Sequence, residues 1–80
     1  MNMSNILDRI TIDDKICNGK PTIRGYRITV QTILEFILAG TPEDEILAQY
    51  PLLEPDDLEA CKKFALLMLD KKYTMKDVAA

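Results

Sequence analysis

An 80-residue chain with a net charge of −3 holds one small domain and leaves no room for a separate catalytic one. Apolar residues make up 48% of it, 19 of them Leu or Ile, which excludes a disordered chain. Histidine is absent, so a Ser–His–Asp hydrolase, a His-ligated zinc site and a histidine general base are all excluded.

Residues 9–13, Arg-Ile-Thr-Ile-Asp, alternate and are β-branched, which predicts a short strand. Asn18-Gly19 is a turn signal, because both residues tolerate positive φ. Arg24-Gly25 lies between Thr22-Ile23 and Tyr26-Arg27-Ile28 and marks a second turn, with Gly25 at the position that needs positive φ. Pro21 has no N–H to donate and belongs at a strand start or edge. Residues 9–28 are therefore expected to form a β-arm of two or three short strands.

Helical spacing then takes over. Val30, Ile33, Leu34, Ile37 and Leu38 fall at i, i+3, i+4, i+7 and i+8, with Thr29 as N-cap and Gly40 as the stop, predicting a helix over 30–39. Thr41 is expected to cap a second helix over 42–50, with Pro42 in its first position and Glu43 and Asp44 at the positive end of its dipole. Ile46, Leu47 and Tyr50 form its buried face, and Pro51 ends it. Pro55 opens a third helix over 55–71. Leu58, Cys61, Ala65, Met68 and Lys72 follow one face, and Phe64, Leu66, Leu67 and Leu69 fill much of the rest. Thr74 and Asp77 resemble a short capping box at the start of a further turn. The fold class is mostly α: a single domain over 1–80, with a β-arm at 9–28, a three-helix unit at 29–72 and a tail at 73–80. The connection from Pro51 to Glu54 has the length of the turn in a helix-turn-helix.

Charge is unevenly distributed. Residues 1–30 carry five basic and three acidic residues, net +2; residues 31–61 carry eight acids and no Lys or Arg; residues 62–80 carry five basic and two acidic, net +3. Any nucleic-acid contact must come from the two basic ends. Cys17 and Cys61 lie too far apart for a CxxC motif and are expected as free thiols. No charged-then-apolar leader opens the sequence, and the longest apolar run, Phe64 to Leu69, is far short of the ~20 residues a membrane helix needs. A cytoplasmic protein is expected.

The string Gly19-Lys20-Pro21-Thr22-Ile23-Arg24-Gly25-Tyr26-Arg27-Ile28-Thr29-Val30 resembles the signature of the bacterial domain-of-unknown-function family 433. Ile33-Leu34, Gly40, the acidic turn Glu43-Asp44-Glu45-Ile46-Leu47 and Tyr50-Pro51 extend the resemblance over residues 9–69. Asn18 stands where that family often has Gly, Tyr26 where it usually has Thr, and Glu54 where Thr or Ser is usual, which weakens the third helix's cap. The resemblance implies a homeodomain-like or winged helix-turn-helix fold and a VapB-like antitoxin. Such a protein neutralises a PIN-like toxin ribonuclease and represses its own operon.

Two groups of residues are candidates for that work. Lys20, Arg24 and Arg27, at or near a tight turn, suit contact with DNA phosphates. Arg24 and Arg27 equally suit ion pairs with the acidic helices, clamping arm to body, and both arrangements stay open. The N-terminal end of the third helix, where a helix-turn-helix reads bases, carries Glu54, Asp56, Asp57 and Glu59. These acids repel phosphates, and a role as helix-dipole partners accounts for them. Neutralising Asp56 and Asp57 is thus expected to strengthen DNA binding. Phe64, Leu66, Leu67 and Leu69 exceed what one helix face buries and predict a dimer or partner interface.

No catalytic residue, metal site or cofactor site is expected. Adjacent acids such as Asp13-Asp14 and Asp56-Asp57 do not face one another, and Gly19-Lys20 lacks the rest of a phosphate loop. The leading reading is an antitoxin-like homodimer that binds a toxin and operator DNA, with no membrane or small-molecule substrate. Its alternatives are an interaction or scaffold module with no nucleic-acid role and a stand-alone transcriptional regulator.

Overall fold

A computed structural model describes residues 7–72, the side chains of residues 71 and 72 excepted. The expected tail at 73–80, with its Thr74–Asp77 box, lies outside the described residues. The order is β1 (Ile10–Thr11), β2 (Thr22–Ile23), α1 (Val30–Leu38), α2 (Glu43–Gln49) and α3 (Pro55–Lys72). This is the mostly helical architecture expected, an antiparallel strand pair followed by three helices.

The arm is more turn than strand. β1 and β2 pair with Ile10 opposite Ile23 and Thr11 opposite Thr22, and an isolated bridge joins Thr22 to Thr29. Between the strands, Cys17, Asn18 and Gly19 all take positive φ, at 50°, 58° and 80°. After β2 the chain reverses within four residues: the Tyr26 N–H donates to the Ile23 carbonyl at 2.8 Å, with Arg24 at φ 47° and Gly25 at φ 77°. Positive φ at both central positions is the mirror-image turn that suits a twisted hairpin. Glycine adopts it freely; for Arg24 it is strained and is held by contacts made further along the chain.

Each helix start and stop has a local cause. The Thr29 hydroxyl accepts from the Thr32 N–H at 3.1 Å and caps α1. At the other end Gly40, at φ 83°, donates to the Ile37 carbonyl while the Thr41 N–H donates to Phe36, the paired closure of a Schellman motif. α2 starts one residue later than expected. Pro42 is extended, at ψ 148°, so Pro42, not Thr41, is the N-cap, and the helix begins at Glu43. Its carbonyl accepts from the N–H groups of Glu45 and Ile46.

The core draws on every layer: Ile23 from β2, Val30 and Ile33 from α1, Ile46 from α2, Leu53 from the connection, and Leu58 and Cys61 from α3. Each fully buried Ile or Leu contributes roughly 1.5–3 kcal/mol. Phe36 and Tyr50 meet edge to face at 6.0 Å and join α1 to the end of α2. The predicted apolar stripes are buried over only part of their length. Leu38 is 85% exposed although it continues the α1 stripe, and Met68 is 48% exposed although it follows Leu58 and Cys61 on α3. An 18-residue helix is ~27 Å long, and its C-terminal half runs past the residues that cover its first half. No helix among the described residues is long and apolar enough to cross a membrane.

Candidate functional site

Two features stand out: a buried carboxylate that ties the arm to the helices, and an apolar face that is left open.

Asp57 has no exposed surface, yet all its acceptor capacity is used. Glu54 caps α3 and Asp57 is the third helical residue, so the carboxylate reaches back and its Oδ2 accepts the Glu54 N–H at 2.7 Å. This is the return half of a capping box. The Arg24 Nε donates to Oδ1 at 3.0 Å and its Nη2 to Oδ2 at 2.8 Å, a two-point pairing. The Arg9 Nη1 adds a bond to Oδ1 at 3.0 Å. Four bonds match the roughly four lone-pair sites of a carboxylate. Arg9 also donates to Glu54 at 2.8 Å and stands 3.7 Å from Asp56. Arg24 reaches the Leu52 carbonyl at 2.8 Å, and its guanidinium lies 5.1 Å from the centre of the Tyr26 ring.

Electrostatics follow from this geometry. Burial alone pushes the Asp57 carboxyl up, but the bonds from Arg24, the Glu54 N–H and Arg9 outweigh it and hold the group below the ordinary aspartate range. Arg24 is raised, chiefly by its bonds to Asp57, and Arg9 chiefly by its bond to Glu54. Cys61, buried near Asp57, is pushed up to about 12, chiefly by burial. Cys17 and Cys61 are both free thiols.

This arrangement corrects one part of the sequence reading. Asp57 is more than a dipole partner, and the acids at the start of α3 are not an open negative surface. Asp57 is buried, and Glu54, Asp56 and Asp57 are all paired to the arm. Substituting Asp57 by Asn would loosen the arm, so the expected gain in DNA binding does not follow from this variant. The arm is seated on the first turn of α3 through these pairs.

The three basic candidates separate. Arg24 is turned inward onto Asp57, the clamp that the sequence left open. Lys20 and Arg27 are exposed and make no ion pair among the described residues. The apolar candidates separate as well. Phe64 and Leu69 join Pro21, Leu34, Leu38 and Met68 in an almost wholly apolar groove of about 470 Å³ between α1 and α3. Leu67 lines a second hollow of about 370 Å³ with Leu7, Ile10, Ile12, Phe64 and Met68. Leu66, 63% exposed, lines neither. Sequence reasoning missed Arg9 and the α1 side of the groove. The stripe that carries Leu34 and Leu38 was visible, but its spacing does not tell which end of it a neighbour covers.

The fold and this surface define a small trihelical protein whose β-arm is locked to its last helix. Residues 10–65 match the family described as protein of unknown function DUF433, and the chain belongs to that family. No curated protein and no solved structure shows significant similarity to it.

Proposed function

We propose that this DUF433 protein is an antitoxin-like binding module that holds a partner protein in the groove between α1 and α3. The observation that carries this reading is the groove itself. Leu38 is 85% and Leu69 63% exposed beside a floor of Leu34, Phe64 and Met68, a cost that a small soluble domain rarely bears without a partner. The occupant is a small acid-rich, nuclease-like toxin of the PIN-like class. An acid-rich surface suits the net +3 that the sequence carries over residues 62–80.

Operator contact has an accessory part, carried by Lys20 and Arg27, whose side chains are free of ion pairs among the described residues. Phosphate contact of this kind gives modest, salt-sensitive affinity. The test is co-expression with the product of the adjacent reading frame. A stable complex in which ribonuclease activity is suppressed supports the reading, and Leu38→Asp should abolish both. A neighbour that is not nuclease-like, or a complex indifferent to Leu38→Asp, would leave the scaffold alternative in its place.

A further inference from the structure

Lys63, Leu66, Leu67 and Asp70 stand at i, i+3, i+4 and i+7 along α3 and therefore share one face. Asp57, Leu58 and Cys61, all buried, occupy the opposite side of the helix, so this face is turned away from the core, with Leu67 and Asp70 at the rim of the hollow against β1. Leu66 is 63% and Leu67 38% exposed. Neither Lys63 nor Asp70 belongs to an ion pair among the described residues, whereas the neighbouring Lys62 is held by Glu59 at 2.7 Å.

We propose that this face is a self-complementary seam on which a second copy of the chain docks antiparallel. Turned end for end about a point between Leu66 and Leu67, the order Lys–Leu–Leu–Asp becomes Asp–Leu–Leu–Lys. Leu66 of one copy then meets Leu67 of the other, and Lys63 meets Asp70. Each contact occurs twice, as a two-fold axis requires. Parallel pairing would instead set Lys63 against Lys63 and Asp70 against Asp70 and is disfavoured on charge. The occupant is a second copy because the stripe's charges complement the stripe itself. The seam is separate from the groove along α1 and stands whether or not a toxin occupies that groove.

Light scattering on the full chain at tens of micromolar should give twice the 9.1 kDa chain mass. Lys63→Asp and Asp70→Lys each turn two attractions into two repulsions and should weaken the dimer roughly tenfold or more. The double variant exchanges the charges and should restore wild-type association. An equimolar mixture of the two single variants should form a heterodimer, because each then supplies the charge the other lacks. Both substitutions are on the outer face of α3, and circular dichroism checks that each variant folds. A wild-type monomer mass, single reversals that leave association unchanged, or a double variant as weak as the singles would each overturn the seam. Leu38→Asp, in the groove, should leave the dimer intact; its loss there would put the interface on the wrong face.

Discussion

Replacing Asp57 by Asn removes one charge and changes one atom, and its effect should be large. The wild-type carboxylate accepts four bonds from three groups: Arg24 at 3.0 and 2.8 Å, Arg9 at 3.0 Å and the Glu54 N–H at 2.7 Å. An asparagine keeps one oxygen, enough for the Glu54 N–H and one guanidinium bond. Its amide nitrogen then points hydrogens at the remaining guanidinium hydrogens, donor against donor. Two charge-assisted bonds are lost, each about 1.5–3 kcal/mol. The side chains of Arg9 and Arg24 are 23% and 29% exposed, so water recovers part of this loss. The net cost should be about 3 kcal/mol, out of a total near 4–12 kcal/mol for a domain of this size. That corresponds to a fall in Tm of roughly 12–24 °C, read by circular dichroism. Asp56→Asn is the control, because its ion-pair contact is a 3.7 Å approach to Arg9 and its loss should cost under about 1 kcal/mol. An Asp57→Asn protein that melts within about 2 °C of wild type would show that the clamp contributes little.

Much of the fold was legible because its determinants are local. Thr29 and Gly40 act on neighbours three or four residues away, and Pro55 opens α3 from within its own first turn. Thr41 was misread for an equally local reason, since the string Thr41-Pro42-Glu43-Asp44 looks alike whether the helix starts at Pro42 or one residue later. The clamp was only half legible. Charge counting showed an acidic middle and a basic arm, but not that Asp57 meets Arg24 across 33 residues and Arg9 across 48. That pairing depends on the arm folding back over α3, and no short-range pattern encodes it. The open face was read from its apolar excess on α3. The share of α1 in it was hidden, because a stripe at helical spacing looks alike whether or not a neighbour covers its end.

Acid should act through Asp57. Its pKa lies below the ordinary 3.8 in the folded protein, so its stabilising contribution is complete above that value. As the pH falls from about 5, the unfolded chain takes up the proton first, and the stability gap between wild type and Asp57→Asn should narrow; a pH-independent gap in urea melts would contradict the linkage. Gly25→Ala meets no atom within 4 Å of the added methyl but must hold φ 77°, so a purely conformational loss of roughly 1–2 kcal/mol is expected. Thiol titration at pH 8 should modify Cys17 quickly and Cys61 only on the timescale of unfolding, since Cys61 is buried and pushed up to about 12. Equal rates for the two would show that α3 opens readily around Cys61.

Methyl NMR reports whether the groove between α1 and α3 is the partner-binding surface. The labelled chain is titrated with the purified product of the adjacent reading frame, and shifts are followed at Leu34, Leu38, Met68 and Leu69. These methyls should move or broaden together at stoichiometric partner, while Ile23 and Ile33 in the core stay in place. Shifts confined to the arm around Lys20 and Arg27, or no shift at the four groove residues, would contradict this assignment.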